Sequence, residues 1–359
     1  MRYLRSGLIQ HDQSRATKGF TLFSPIAQTK TCLIDMAGDV VHEWDLPSPP
    51  GNYTYLMANG NLLAACRSEG GPEGMAARGG RIVELDWDGN VVWEYIDHYQ
   101  HHDFRRLPNG NLIYIGWERL PDETASRVQG GLPGSDHGGE IWGDFIREVD
   151  PAGNTVWEWH CATDMEIEKY PICPICHRNE FAHANSVTLN RDGDVMVSWR
   201  HNHLVAVIDR ATKKFKWEMC DMALFGHQHD FQEIGNGNYM LFANRDHTDK
   251  HGVQVGSAIL EIDPASKEIV WEYTGLPLHT FFSPHISGCQ RLASGNTLIC
   301  EGIWGHIFEV TPGGEIVWEY VSPFFIPKGH PSGREGINQM FRAYRYAPDS
   351  PEIGGRLSL

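Results

Sequence analysis

The sequence has little positive charge and no long apolar run. Lys and Arg number 30 against 46 Asp and Glu, and the formal net charge is −16. Nucleic acids and anionic membranes are bound by basic surfaces, so we expect neither as a partner. No apolar stretch approaches the length of a membrane span, and residues 1–12 lack the apolar core of a signal peptide. We therefore expect a cytoplasmic protein, in which any anionic substrate meets a locally basic site.

Several common catalytic motifs are also missing. No Gly-x-Ser-x-Gly occurs, which removes the usual signature of a serine hydrolase. The glycine-rich residues 70–74 lack the lysine of a phosphate-binding loop. The eight cysteines are widely scattered, and several lie within apolar segments. This pattern favours reduced, buried thiols over a disulfide framework.

What the sequence does contain is a short phrase repeated six times. It reads Val-Val-Trp-Glu-Tyr or a close variant, and each copy follows a tight-turn signal and a short apolar segment. Repeats spaced by roughly fifty residues indicate supersecondary units that bury their faces only against one another. The copies lie at residues 40–44, 91–95, 155–159, 215–218, 269–273 and 316–320.

Each repeat predicts four antiparallel strands, because alternating apolar residues and Gly, Asn or Asp turns are typical of β-hairpins. We therefore predict an all-β fold, a six-bladed β-propeller in one domain spanning residues 1–359. In the last blade we expect residues 18–47 to supply outer strands and residues 337–346 to supply inner strands, which closes the ring. The predicted blades are residues 51–97, 101–161, 182–220, 228–275, 284–323, and 337–346 with 18–47.

The chemistry is expected on one face of this propeller. The turns inside blades are short, whereas the long connections, such as residues 117–142 and 162–181, should gather on the opposite face. Innermost strands begin there, and histidines recur at their starts, with Arg200 at the end of a neighbouring strand. The histidine segments are residues 101–103, 183–185, 227–230 and 283–288. A purely structural role, capping strand starts, is the alternative for each histidine.

These motifs resemble the bacterial, PAPS-independent aryl sulfotransferase (ASST) family. The resemblance rests on the Trp-Glu-Tyr phrase, the His-His-Asp at 101–103, the segment 183–187 leading to Ser-Trp-Arg-His at 198–201, and the Gln-His-Asp at 228–230. It covers most of residues 30–325. The resemblance implies that a histidine takes a sulfuryl group from an aryl sulfate and passes it to a phenol, without a cofactor.

The resemblance also implies the roles of individual residues. His229 would be the nucleophile that forms a sulfohistidine, and His102, His183 and Arg200 would bind the sulfuryl oxygens. Neutral imidazole is nucleophilic near neutral pH, and a guanidinium offers paired donors to an oxyanion. We expect a small phenolic or anionic aromatic substrate. Further candidates for binding it are Asp103, Asn185, His227, His285 and Trp199.

Two other functions remain open at this point. His102, His183, His229 and His285 would also suit zinc or iron, which would make a metal-dependent lyase, hydrolase or oxygenase. A non-catalytic propeller that binds a ligand or a protein is the other alternative.

A separate Cys-x-x-Cys-His motif at residues 173–177 matches the pattern for covalent haem attachment. It also suits a small zinc site with Cys161 and His177. A disulfide or two free thiols is the simpler interpretation, and we favour it.

Overall fold

The computed structural model describes residues 5–136, 138–248 and 256–359, in which most ordered elements are β-strands. Within these residues the strands form six antiparallel sheets, five with four strands and one with five. The fold is the predicted six-bladed β-propeller, with each sheet a blade. No helix in these ranges is both long and apolar enough to cross a membrane. By its internal contacts the chain divides into two compact units: Met1–Gly71, Ala77–His98 and Ile286–Leu359; and Pro72–Ala76 and Tyr99–His285.

The first unit contains three blades. One comprises β5 (Pro50–Leu56), β6 (Leu62–Arg67), β7 (Gly80–Leu85) and β8 (Val91–Ile96). Another comprises β21 (Gly288–Arg291), β22 (Thr297–Glu301), β23 (His306–Val310) and β24 (Ile316–Val321), with β1 (Gly7–His11) added beside β24. The third comprises β25 (Met340–Tyr346), β2 (Phe20–Pro25), β3 (Lys30–Ile34) and β4 (Val40–Asp45). A 3-10 helix spans Gly302–Trp304.

The second unit contains the other three blades. One blade comprises β9 (Gln100–Arg106), β10 (Leu112–Arg119), β11 (Trp142–Val149) and β12 (Thr155–His160). The next comprises β13 (Ala184–Leu189), β14 (Val195–Trp199), β15 (Leu204–Ile208) and β16 (Phe215–Cys220). The last comprises β17 (His229–Glu233), β18 (Tyr239–Ala243), β19 (Ala258–Ile262) and β20 (Ile269–Thr274). Short helices lie between strands: α1 (Asp122–Arg127), α2 (Cys161–Asp164), α3 (Met222–Phe225), and 3-10 helices at Ile167–Lys169 and Leu278–Thr280.

The two ends of the chain share one blade, but they divide it differently from the prediction. The N-terminal segment supplies three strands, β2, β3 and β4, and the C-terminal segment supplies only β25. β25 pairs with β2 from Phe20 opposite Tyr346 to Pro25 opposite Met340. Residues 337–346 have room for only one strand of this length, so they form a single inner strand where more than one was expected. β1, which the repeats did not predict, pairs its edge with β24.

Burial explains the sequence pattern of the strands. The middle strands are buried on both faces, which gives continuous apolar runs such as β15 (Leu-Val-Ala-Val-Ile). The outermost strands alternate instead, as in β20, where Tyr273 is buried and Val270 is half exposed. The repeated tryptophans on these outer strands donate their indole N–H to a backbone carbonyl of the next blade. The donors and acceptors are Trp44 to Asp86 (3.0 Å), Trp157 to Arg210 (2.9 Å), Trp217 to Pro264 (2.9 Å) and Trp318 to Met36 (3.0 Å).

Each innermost strand of the second unit begins with a β-bulge. In β9 the bulge falls at His102 and Asp103, in β13 at Asn185, and in β17 just after His229. A bulge adds a residue without a partner across the ladder, bends the strand and turns side chains in new directions. The same local deformation therefore occurs at the start of three strands, where the predicted site residues lie.

Candidate active site

A row of histidine rings lies within the second unit. The ring of His102 is 4.5 Å from that of His183, measured between centroids, and His183 is 4.6 Å from His201. His227 follows at 6.1 Å from His201 and lies 4.4 Å from His247. The bulged starts of the innermost strands and the loops after β14 and β18 supply these residues. The structure thus brings together imidazoles that are far apart in the sequence.

Several of these histidines have backbone dihedrals that are uncommon for residues other than glycine. The φ angles of His102, His183 and His227 are +51°, +59° and +68°. Left-handed residues of this kind cost of order 1–3 kcal/mol and cluster at functional sites, where surrounding structure holds them. The surrounding structure therefore holds these residues in an unfavourable backbone conformation, and that conformation sets the direction of their side chains.

The buried imidazoles are held in their neutral form. Burial lowers the pKa of His102 well below its ordinary value, and the nearby His183, His101, His229 and Arg200 lower it further. Burial and the charge of Arg200 also lower the pKa of His183 well below its ordinary value. A neutral ring keeps a lone pair on one nitrogen, which is the form required of a nucleophile.

The tautomer of His229 is set by Asn244. The His229 Nδ1 lies 2.8 Å from Asn244 Oδ1, and the Asn244 side-chain NH₂ donates to the Ser283 carbonyl at 2.7 Å. Because the amide nitrogen is committed to that carbonyl, the amide oxygen must face the histidine and accept its Nδ1–H. The lone pair of His229 is therefore on Nε2.

His183 is oriented by a buried carboxylate. Its Nδ1 donates to Glu180 Oε2 at 2.6 Å, while Trp117 donates its indole N–H to Glu180 Oε1 at 2.8 Å. All three side chains are buried or nearly so. Trp117 thus fixes the carboxylate, and the carboxylate fixes the ring.

His102 is the end of a chain of three ionisable groups. Its Nδ1 lies 2.7 Å from Nδ1 of His101, and Nε2 of His101 lies 3.2 Å from Asp144 Oδ1. His101 stacks on Trp117, with 4.2 Å between ring centroids. Burial raises the pKa of Asp144, which favours its protonated form. The three groups thus form a row that leads from a buried carboxyl group to His102.

Arg200 follows β14 and lies beside His183, as predicted from strand order. Its backbone N–H donates to the His183 carbonyl at 3.0 Å. Burial lowers the pKa of its guanidinium, which the charges of Cys176, Asp246 and Glu180 oppose. A guanidinium remains protonated at any pH at which proteins are stable, so it places a positive charge among neutral rings.

The other predicted binding residues have different environments. Asp103 accepts from the backbone N–H groups of Phe104 (2.8 Å) and Val187 (2.9 Å). Asn185 donates to the Gln228 carbonyl at 2.8 Å, which joins β13 to the start of β17. These contacts are with the protein's own backbone. They support the alternative, structural role for both residues, and substrate binding by either one stays a prediction.

Trp199 also differs from the expectation. Trp199 is fully buried in the hydrophobic core, where its ring lies 5.4 Å from Trp159 and 5.5 Å from Phe215 between centroids. The strand's alternation turns it away from Arg200, its neighbour in sequence. His285, by contrast, is exposed and close enough to His183 that its charge contributes to the lowered pKa of that ring.

Of the four predicted metal ligands, the structure places His183 alone in a group of potential ligands, and its neighbours there are not the predicted ones. Among the described residues, two sets of His, Cys, Asp and Glu have ligand atoms within 4.8 Å of one another. Neither set contains His102, His229 or His285. The sets are Cys173, Cys176, His227 and His247, and Glu180, His183 and His201.

The environment of the Cys-x-x-Cys motif also differs from the expectation. Cys161 lies in the hydrophobic core, where its sulfur accepts from the Asp144 N–H at 3.2 Å, and His177 is exposed. Cys176 contacts His227 instead, with its sulfur 3.3 Å from Nε2. All eight cysteines are free, and only Cys220 is exposed.

Sequence reasoning missed the residues that orient the histidines. Asn244 follows the second strand of its blade, the position that Arg200 occupies in the neighbouring blade, and this correspondence was a usable signal. Glu180 lies three residues before His183, within a loop that showed no pattern. Asp144 lies in β11, and nothing in its own segment connects it to His101.

Comparison with known proteins identifies a family and supports the fold. The model of the arylsulfotransferase (ASST) family matches residues 80–323. No curated protein matches significantly. A Bacteroides caccae protein of unknown function is similar at 13% identity and a TM-score of 0.57, covering 92% of this chain and 99% of its own.

Two lyase structures are more distant. A streptogramin B lyase has 14% identity and a TM-score of 0.49, covering 90% of this chain and 86% of its own. A virginiamycin B lyase from Staphylococcus aureus has 12% identity and a TM-score of 0.43, covering 89% and 90%. At these values neither bears on the function of this chain.

Proposed function

This chain belongs to the arylsulfotransferase (ASST) family, and we propose that it transfers a sulfuryl group from an aryl sulfate to a phenol through His229. The observation that carries the proposal is the contact of His229 Nδ1 with Asn244 Oδ1 at 2.8 Å. It fixes the tautomer of a buried imidazole, so that Nε2 carries the lone pair that a nucleophile needs. Aryl sulfotransferase-like activity follows from the family, whereas the intermediate and the phenolic acceptor are the proposal.

In the first half-reaction, Nε2 of His229 attacks the sulfur of the aryl sulfate. An N–S bond forms, the S–O bond to the aromatic ring breaks, and its electron pair leaves with the phenolate oxygen. Arg200 and the neighbouring imidazoles contact the sulfuryl oxygens. Fixed donors of this kind stabilise developing negative charge without reorganisation.

The chain of Asp144, His101 and His102 supplies the proton that the departing phenolate needs. His102 gives its Nε2 proton to the phenolate oxygen while its Nδ1 receives one from His101. His101 is reprotonated on Nε2 by Asp144, a carboxyl group whose pKa is raised by burial. Each ring ends neutral, which agrees with the lowered pKa of His102.

In the second half-reaction, the acceptor phenol attacks the sulfur of the sulfohistidine. A new S–O bond forms, the N–S bond breaks, and neutral His229 is restored. The phenol's proton returns along the same chain to Asp144. The net reaction exchanges the sulfuryl group between two phenols.

The direct experiment combines a chromogenic aryl sulfate, a phenol acceptor and the variant His229→Asn. Wild-type protein mixed with donor alone should gain one sulfuryl group on the peptide that contains His229, detected by mass spectrometry at alkaline pH. His229→Asn should lose turnover and labelling while retaining its circular dichroism spectrum. Asn is a suitable replacement because it keeps a polar group for Asn244.

Arg200→Ala is the matched control, since it removes binding rather than the nucleophile. It should raise KM for the donor and still allow labelling of His229 at high donor concentration. Near-normal turnover by His229→Asn, or labelling of a different residue, would falsify the assignment of the nucleophile.

A further inference from the structure

Cys173, Cys176, His227 and His247 converge from three separate segments of the second unit. The cysteines lie in the connection from β12 to β13, His227 precedes β17, and His247 follows β18. Both cysteines and His227 are buried, and His247 is partly buried. Nothing in the proposed sulfuryl transfer uses the four groups together.

The distances between their ligand atoms are those of a tetrahedral site. Zinc binds Cys sulfur at about 2.3 Å and His nitrogen at about 2.0–2.1 Å, so neighbouring ligands in a tetrahedron lie about 3.3–3.8 Å apart. Cys173 Sγ is 3.5 Å from His247 Nδ1, Cys176 Sγ is 3.3 Å from His227 Nε2, and Cys176 Sγ is 3.9 Å from His247 Nδ1. All four atoms lie within 4.8 Å of one another.

Asp246 lies behind both histidines. Its Oδ2 is 3.8 Å from Nδ1 of His227 and 3.5 Å from Nε2 of His247, the nitrogens that face away from the sulfurs. A negative charge beside these outer nitrogens favours a proton on each of them, which leaves the inner nitrogens as the metal ligands. One carboxylate here serves two rings.

The direction of the His227 ring is fixed independently. It stacks on His203, with centroids 4.9 Å apart and planes 5° from parallel, and its backbone N–H donates to His203 Nδ1 at 3.1 Å. The Cys-x-x-Cys turn is closed by the Cys176 N–H donating to the Cys173 carbonyl at 3.0 Å. The ligands therefore come from segments whose conformation is set by other contacts.

We infer that Cys173, Cys176, His227 and His247 bind one zinc ion in a closed, structural Cys₂His₂ site. On binding, both thiols release their protons to solvent, and two thiolates balance the charge of Zn²⁺. Two sulfur and two nitrogen ligands in a tetrahedron favour zinc over magnesium, calcium or manganese. The site joins the connection before β13 to the segments around β17 and β18. The Cys173 N–H donates to the His201 carbonyl at 2.8 Å, so the site also supports the residue next to Arg200.

The test measures metal binding rather than activity. Full-length protein is reduced, stripped with a chelator, given Zn²⁺ and separated from free metal, after which zinc is counted by ICP-MS. Wild type and the control Cys220→Ser, which alters the exposed cysteine, should retain one zinc per chain. Cys176→Ser and His247→Ala should lose it. Asp246→Asn should retain four ligands but bind about 10–100-fold more weakly.

Cobalt gives a second readout of the geometry. Co²⁺ in place of zinc should show thiolate charge-transfer and tetrahedral d–d absorption bands in wild type and in Cys220→Ser, and none in Cys176→Ser. Wild-type protein that takes up no zinc after reduction, or zinc uptake that survives both ligand substitutions, overturns the assignment. The assignment is also overturned if the protein, as purified, contains iron at this site instead of zinc. No outcome depends on sulfuryl transfer.

Discussion

At the scale of single residues, the site consists of histidines whose protonation is decided by a partner on one ring nitrogen. In each case the partner contacts Nδ1 of the histidine. The pairs are Asn244 with His229, Glu180 with His183, and His101 with His102. We propose that Nε2 is the nitrogen that acts on the substrate. The proposed chemistry then depends on partners that do not touch the substrate.

Asp144→Asn should slow transfer selectively from donors with poor leaving groups. Asn cannot supply the proton that passes through His101, so phenyl sulfate, whose phenolate is strongly basic, should lose about 10²–10⁴-fold in kcat. Nitrophenyl sulfate leaves as a weakly basic phenolate and should be affected far less. The measurement is kcat for a series of aryl sulfates of rising leaving-group pKa.

The side-chain amide introduced by Asp144→Asn can still accept from the Ala184 N–H, as Asp144 Oδ2 does at 2.9 Å. The fold should therefore be retained, and circular dichroism checks it. An equal loss of kcat for all donors would instead make Asp144 structural.

The histidines could be predicted from the sequence, and the position of Asn244 left a usable signal, but Glu180 and Asp144 could not be predicted. His102, His183 and His229 each lie at the start of a strand in a repeat, and the repeat shows which positions correspond. Glu180 and Asp144 reach the site by loop conformation and by packing between blades. Those contacts join segments whose proximity depends on the three-dimensional fold.

At the scale of elements, the bulges at the starts of β9, β13 and β17 set the direction of the site side chains. Side chains that hydrogen-bond to the backbone stabilise these bulges. Asp103 is fully buried in the bulge of β9 and accepts from an N–H of its own strand and from Val187 of β13. It joins two neighbouring blades through hydrogen bonds.

Asp103→Ala should lower the free energy of unfolding by about 1–3 kcal/mol for each buried N–H left without an acceptor. Asp103→Asn keeps one acceptor oxygen and should lose less. Urea denaturation measures both, with Asp88→Ala in an exposed turn as the control, expected within about 0.5 kcal/mol of wild type.

KM for the donor separates the structural role of Asp103 from substrate binding. An unchanged KM in folded Asp103→Asn protein supports the structural role. A large rise in KM with unchanged stability would restore the sequence-based assignment to substrate binding.

The strands were predictable from the repeated phrase because their burial repeats with it. β1 and the division of the closing blade were not, since neither segment contains the phrase. β1 is held chiefly by its pairing with β24, and a strand whose partner lies some three hundred residues away leaves little local signal.

At the scale of the whole molecule, neutral buried histidines make stability depend on pH. The pKa of His102 and of His183 is lowered on folding. In the unfolded chain such groups take up protons below about pH 6.5, while the folded protein does not. The free energy of unfolding should therefore fall as pH drops below that value. His160, whose pKa the hydrogen bond to Glu118 raises, acts in the opposite direction.

His102→Asn isolates one contribution to this dependence. The variant should lower the slope of unfolding free energy against pH by about 1.4 kcal/mol per pH unit below pH 6.5, because one proton is removed from the balance. Urea titrations at several pH values measure the slope, with the exposed His279→Asn as the control. An unchanged slope in His102→Asn would show that His102 is not neutral in the folded protein.

The pairing of β2 with β25 has a consequence for biosynthesis. β25 follows β2 by some three hundred residues in the chain, so the hydrogen-bonding edge of β2 stays open until β25 has been translated. An open edge of this kind is a template for association with other nascent chains. Completing this blade joins segments far apart in the sequence, and contacts of such high contact order form slowly. In that interval the open edge of β2 needs chaperones or dilution to keep it from pairing with other chains.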